Sequence, residues 1–211
     1  MELYGYFRSS AAYRVRIALN VKKISYESIS LSLLKGDHKE DAYLAKNPQG
    51  FVPYLTDGDI GMGQSMAMLE YLEESYPDIP LLPKNAAERA RVRQMAGIVA
   101  CDIHPLDNLR ILKYLTSTLE ISEAQKTAWY HHWIIEGFKA FETLLQNGPS
   151  GEFCHGDQIT FADLCLIPQV YNAQRFNCPM DNFPTIIRIT DKCNRQAAFI
   201  EALPENQADA T

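Results

Sequence analysis

The sequence predicts an α/β domain over residues 1–80, followed by an all-α domain over residues 86–211. The order of the local patterns predicts this division. Strand-like and helix-like segments alternate over the first 76 residues as β-α-β and then β-β-α, and only helical patterns follow. Pro77, Pro80 and Pro83 form a stiff, extended connector between the two patterns. The first three elements form a βαβ unit, whose strands should run parallel with a right-handed crossover.

A short strand rich in aromatic residues opens the chain and leads directly into a helix. Val15, Ala18 and Leu19 have the i, i+3, i+4 spacing of a buried helix face. Ser9 and Ser10 are good N-cap residues, so the helix should begin there, with unpaired N–H groups at the positive end of its dipole. Such a helix N-terminus can bind a carboxylate, a phosphate or a thiolate. Capping alone explains the two serines equally well.

The rest of the first domain is predicted from strand and turn signals. Residues 24–31 are β-branched and partly alternating, which indicates a second strand. Pro53 begins an apolar run and cannot donate a ladder hydrogen bond, so it marks a sheet edge, a bulge or a cis bond. The other predicted elements are a short helix over residues 41–46, a hairpin turn at Asp57-Gly58, a brief strand over residues 60–62 and a helix opened by Gln64-Ser65.

Capping signals divide the second half of the chain into helices. One long helix is predicted from about residue 86 to beyond residue 112, with a kink at Pro105. Ser122 and Thr160 each begin a capping box, and the apolar run after Thr160 predicts a buried core helix. The chain should end with a helix near residues 185–198 and a frayed tail over residues 205–211.

Composition and charge argue against several classes of function. A net charge of −6 argues against nucleic acid as a partner, whereas the arginines clustered near the first helix suit a small acidic ligand. The five cysteines form no CxxC pair and no metal-ligand spacing with histidine, so reduced thiols and no metal are expected. The chain shows no signal-peptide pattern and no membrane-spanning apolar run, so a cytoplasmic protein without a membrane partner is expected.

Motifs along nearly the whole chain resemble those of the zeta class of glutathione transferases. The run from Ser9 to Leu19 resembles the serine-rich signature of that class, which includes isomerases of maleyl keto acids. Further matching motifs are Asn47-Pro48-Gln49, Val52-Pro53, Gln64-Ser65, Cys101-Asp102-Ile103-His104-Pro105, Ala162-Asp163-Leu164, Pro168-Gln169-Val170 and Asn172-Ala173-Gln174-Arg175-Phe176. The resemblance implies the glutathione transferase fold, with a thioredoxin-like first domain and a helical-bundle second domain, and a homodimer. Ala11 departs from the usual cysteine and Asp107 from the glutamine of one branch, so the choice of keto acid stays open.

The resemblance also implies the residues of a glutathione site. Ser9, with Ser10 beside it, would activate the thiol of glutathione. The residues implied to bind the rest of the tripeptide are His38, Gln49, Val52, Pro53, Gln64, Ser65 and His104. Arg8, Arg110 and Arg175 are the candidates for binding the carboxylates of the substrate, because guanidinium groups pair bidentately with carboxylates.

Three hypotheses of function follow. The first is glutathione-dependent cis–trans isomerisation of maleylacetoacetate or maleylpyruvate to the fumaryl isomer in aromatic catabolism, with glutathione as a cofactor that is not consumed. The second is a glutathione transferase that conjugates or dehalogenates small electrophiles such as α-haloacids. The third is a glutathione-binding or interaction protein without catalysis, to which Ala11 in place of cysteine gives some weight. Comparing the amount of product formed with the amount of glutathione consumed distinguishes the first two hypotheses. Glutathione binding without isomerisation of either keto acid would indicate the third.

Overall fold

The computed structural model describes residues 1–210, which divide into two units. Unit 1 comprises Met1–Leu81 together with the described residues from Asn194 onward, and unit 2 comprises Leu82–Cys193. The predicted α/β and all-helical halves are confirmed. The change from unit 1 to unit 2 lies at the proline-rich connector, but residues 194–210, predicted with the helical domain, cluster with unit 1. None of the described helices has both the length and the apolar character that crossing a membrane requires.

Unit 1 is built on a four-stranded sheet in the order β2-β1-β3-β4. The strands are β1 (Glu2–Gly5), β2 (Glu27–Ser30), β3 (Tyr54–Asp57) and β4 (Ile60–Gly63). β1 and β2 are parallel, with Leu3 opposite Ser28, as the predicted βαβ unit requires. β3 runs antiparallel to both β1 and β4, and Gly58 at the hairpin turn has a φ of 58°.

The helices of unit 1 bury an apolar core against this sheet. They are α1 (Ser10–Val21), α2 (Asp41–Leu44), α3 (Ser65–Ser75) and α10 (Ala197–Ala202). Val15 and Leu19 of α1 are fully buried, as their spacing predicts, because α3 and α10 both pack on α1. Lys22, just after α1, donates to Glu73 at 3.0 Å and to the carbonyls of Tyr76 and Ile79 at 2.9 and 2.8 Å. This buried cation therefore fixes the end of α3 and the connector that follows it.

The named elements of unit 2 are all helices. They are α4 (Ala86–Gly97), α5 (His104–Asp107), α6 (Leu109–Ser117), α7 (Glu123–Gln146), α8 (Phe161–Arg175) and α9 (Pro184–Cys193). Both predicted capping boxes are present, at Ser122 with Gln125 and at Thr160 with Asp163. α8 is buried along most of its length, which confirms that it is the core helix of this unit.

Two helix predictions are wrong. The long helix predicted from residue 86 to beyond residue 112 is interrupted at Asn108, three residues after the kink predicted at Pro105. Before this point α4 passes into a π-helix, Ile98–Ile103. Asn108 caps α6 by accepting hydrogen bonds from the amides of Arg110 and Ile111, and Pro105 lies in the first turn of α5, where its missing N–H does no harm. The final predicted helix is two helices, α9 and α10. In the predicted tail, Pro204–Asn206 forms a 3₁₀ turn and Thr211 lies outside the described residues.

Candidate active site

The loop between β1 and α1 ends in the two serines. Ser9 is the N-cap of α1: its Oγ accepts a hydrogen bond from the Ala12 amide at 3.2 Å, and its N–H donates to the Tyr6 carbonyl at 2.9 Å. Ser10 is the buried first residue of the helix. Accepting the bond from Ala12 does not use the hydroxyl proton of Ser9, so that proton can still be donated to an anion beside the first-turn amides. The capping role is confirmed, and the catalytic role stays a prediction.

A second helix N-terminus, that of α3, brings together further predicted residues. Gln64 precedes the helix with a φ of 67°, and its Nε2 donates to Oε1 of Gln49 at 2.6 Å. Ser65 is buried as the first residue of α3, and its Oγ accepts a hydrogen bond from Nη1 of Arg14 at 3.2 Å. Arg14, on α1, is only 2% exposed, so its positive charge lies buried beside Ser65. The helix dipole and this guanidinium both favour a carboxylate at Ser65.

The segment before β3 presents main-chain groups. The Val52-Pro53 peptide bond is cis, which is one of the three alternatives for Pro53, and Pro53 is buried. The backbone of Val52 forms no hydrogen bond with another described residue, so it can pair with an extended peptide. The preceding Phe51 carbonyl is held by the Tyr43 hydroxyl at 2.6 Å and by the Asn47 amide at 2.7 Å. This part of unit 1 therefore suits a peptide ligand.

Arg8 and His38 complete the predicted residues of unit 1. Arg8 is exposed directly before Ser9, and its guanidinium lies 4.7 Å from the centroid of the Phe7 ring. His38 is half-buried in the 3₁₀ turn Asp37–Lys39. A Cβ placed on Gly50 would meet the His38 carbonyl at 3.0 Å, so this turn lies against the residue that follows Gln49. The structure thus brings His38 to the Gln49 side of the unit.

The other three predicted residues belong to unit 2. His104 is half-buried and begins α5. Arg110 and Arg175 are both exposed, in the first turn of α6 and at the end of α8. The guanidinium of Arg175 lies 4.7 Å from the centroid of the Phe176 ring. Both arginines can therefore reach a small anion from solvent, and their role in binding substrate carboxylates stays a prediction.

Asp107 is an acidic residue of unit 2 that is buried without a hydrogen-bond partner for its carboxyl group in the described part of the chain. It is 6% exposed, and neither carboxylate oxygen has a hydrogen-bond partner among the described residues. Burial raises the pKa of this carboxyl to about 8, because a charge without a partner is disfavoured away from water. Asp107 ends α5, the short helix that directly follows the π-helix Ile98–Ile103, and π segments are frequent at functional sites. In the sequence Asp107 stands out only as a departure from the family pattern, because nothing in the neighbouring residues indicates that its side chain is buried.

Replacing Asp107 with asparagine should stabilise the protein, and more so at alkaline pH. A raised carboxyl pKa means that the folded state keeps a proton that the unfolded state loses, so stability is lost as the pH rises from about 4 to about 8. The gain in free energy of unfolding should be about 2–4 kcal/mol larger at about pH 8.5 than at about pH 5. Urea unfolding at both pH values measures it. The exposed Asp181→Asn is the control, and a gain that does not change with pH would contradict the prediction.

Comparisons with known proteins agree with the motifs. The family models described as glutathione S-transferase N-terminal domain and C-terminal domain match residues 3–81 and 108–204. The probable maleylacetoacetate isomerase of Vibrio cholerae is 47% identical over 99% of this chain and 97% of its own length. The maleylpyruvate isomerase of a Ralstonia species is 44% identical over the full length of both chains.

Two solved structures are similar over their entire chains. A holo structure of maleylpyruvate isomerase, described as a bacterial glutathione S-transferase of the zeta class, matches with a TM-score of 0.98 at 44% identity, covering 100% of both chains. The maleylacetoacetate isomerase of Methylobacterium extorquens AM1, with bound malonate and glutathione, matches with a TM-score of 0.96 at 41% identity, again covering 100% of both chains.

Proposed function

This chain belongs to the zeta class of the glutathione S-transferase family, and we propose that it is a glutathione-dependent isomerase of a maleyl keto acid. The proposed reaction converts maleylacetoacetate or maleylpyruvate to the fumaryl isomer in aromatic catabolism. The strongest support is the full-length similarity to an isomerase whose structure holds both glutathione and malonate, a small dicarboxylate. Family membership also supports the predicted homodimer and cytoplasmic location, which light scattering and cell fractionation would test.

The residues of unit 1 fit glutathione group by group. The available backbone of Val52 suits the cysteinyl unit, which has a main-chain N–H and C=O of its own. Ser65 at the α3 N-terminus, with the Arg14 guanidinium behind it, suits the γ-glutamyl carboxylate together with Gln64. Gln49 is hydrogen-bonded to Gln64, and the turn that contains His38 lies against Gly50, the residue after Gln49. Gln49 and His38 therefore suit the glycyl end of glutathione. For His104, contact with glutathione stays a prediction.

The chemistry follows from what these residues do to a bound thiol. When bound, glutathione supplies a thiolate whose reversible addition makes the maleyl double bond temporarily single, so that it can rotate. The Ser9 hydroxyl and the first-turn amides of α1 donate to the thiolate and lower the thiol pKa from its ordinary value of about 8.5. Arg8, Arg110 and Arg175 would hold the carboxylates of the substrate meanwhile. No cysteine of the protein is required, so Ala11 is compatible with this activity.

Assaying the purified protein with both keto acids tests the proposal. We expect the fumaryl isomer to form from at least one of them over many turnovers per glutathione, with no loss of free thiol. S-methylglutathione, which keeps the peptide but lacks the thiol, is the matched control and should support no turnover. Isomerisation without glutathione would contradict the proposal. Stoichiometric loss of thiol with α-haloacids, without isomerisation, would indicate the transferase instead.

A further inference from the structure

The C-terminal segment, residues 194–210, packs on the part of unit 1 that carries Ser9. Within this segment α10 contacts α1, and the side-chain amide of Asn20 donates to the Ala198 carbonyl at 3.0 Å. Further along, Oδ2 of Asp209 accepts a hydrogen bond from the Phe7 amide at 3.1 Å, a contact between residues 202 positions apart. The end of the chain therefore reaches the loop two residues before Ser9.

Two side chains of opposite charge hold the backbone of Phe7. Asp209 binds its N–H, while Nη2 of Arg16 donates to its carbonyl at 3.0 Å. Nε of the same arginine donates to the Ala202 carbonyl, at the end of α10, at 3.1 Å. Arg16 is only 3% exposed, and burial lowers its pKa to about 10, so it remains charged at neutral pH. One buried guanidinium thus joins α1, the loop and the C-terminal segment.

The loop is also anchored by its apolar side chain. Phe7 is only 5% exposed. With this side chain buried and both polar groups of its backbone hydrogen-bonded, Phe7 has little freedom to move. Ser9 follows in the same loop, and its hydroxyl must be held in place before the thiolate forms if it is to stabilise that charge.

We infer that Asp209 and Arg16 are positioning residues of the active site: by fixing Phe7 from the far end of the chain, they hold Arg8 and Ser9 where the glutathione thiol is activated. The predicted effect on the glutathione thiol rests on the proposed function. The structural basis is the pair of hydrogen bonds that Asp209 and Arg16 form with the backbone of Phe7. Neither residue is expected to touch glutathione or the keto acid. Both act through the loop.

Asp209→Ala, which removes the acceptor from Phe7, tests this role. The thiol pKa of bound glutathione, read by thiolate absorbance, should rise by about one unit, and kcat should fall between about tenfold and a hundredfold with little change in KM for the keto acid. Asp209→Asn keeps an oxygen that can accept from Phe7 and should recover most of both losses. Glu201→Ala removes an exposed carboxylate of the same segment and should behave like the unmodified protein.

Amide hydrogen exchange makes the result independent of isomerase activity. In Asp209→Ala the amides of Phe7 to Ser9 should exchange faster, while α8 stays protected. An unchanged thiol pKa despite faster exchange would overturn the inference, as would equal losses in Asp209→Asn and Asp209→Ala. If the unmodified protein binds glutathione but isomerises neither keto acid, the proposed function fails, while the thiol pKa and the exchange still decide the positioning role. A protein that binds no glutathione overturns both.

Discussion

Replacing Ser9 with alanine should lower kcat for isomerisation by about 10²–10³-fold, the loss typical of removing one donor to a developing anion. The thiol pKa of bound glutathione should rise at the same time, because the hydroxyl that favours its charged form is gone. Oγ of Ser9 also accepts the Ala12 amide as the N-cap of α1, so the free energy of unfolding should fall by about 1 kcal/mol. Steady-state kinetics, thiolate absorbance and urea unfolding of one preparation measure all three effects.

Two variants separate chemistry from capping. Ser9→Thr keeps both a hydroxyl and a cap and should retain much of the activity. Ser122→Ala removes the matched N-cap of α7, in unit 2, and should lower stability by about the same amount with kcat unchanged. If Ser9→Ala turned over as fast as the unmodified protein, Ser9 would be reduced to a helix cap, and the thiol would have to be activated by the helix amides alone.

The features predictable from the sequence were those set by neighbouring residues. Helix caps and hairpin turns depend on contacts within a few positions, so the residue types at those positions predict them. Examples are the N-cap Ser9, the capping boxes at Ser122 and Thr160, and the hairpin turn at Gly58. The motifs of the resemblance supplied the predicted site residues, and the structure places two of them, Gln49 and Gln64, within hydrogen-bonding distance.

The features that the sequence did not reveal depend on distant contacts or on competing local rules. The bond between Asp209 and Phe7 joins the two ends of the chain, and no periodicity signals it. Arg14 beside Ser65 likewise depends on the packing of α1 on α3. At Pro105 two local rules compete: proline breaks a helix interior but suits a first turn, and Asn108 three residues later is the better boundary signal.

Replacing Asp163 with alanine should lower the free energy of unfolding by about 3–5 kcal/mol, the largest loss of stability that we expect from one change. This carboxylate is fully buried at the start of α8, and it accepts hydrogen bonds from the Cys154 amide at 2.8 Å and from the amide and hydroxyl of Thr160 at 2.8 and 2.9 Å. Alanine would leave these donors buried without an acceptor, and the core helix of unit 2 without its capping box. Urea unfolding followed by circular dichroism measures the loss.

The matched control is a side-chain cap in the same unit that faces solvent. Asn85 caps α4 by accepting from the Ala87 amide at 2.8 Å, and the bond is exposed. Asn85→Ala should therefore lower stability by only about 1 kcal/mol, because water replaces the lost acceptor. The contrast tests burial rather than capping as the cause: similar losses in the two variants would mean that the donors around Asp163 find water or other acceptors when the carboxylate is removed.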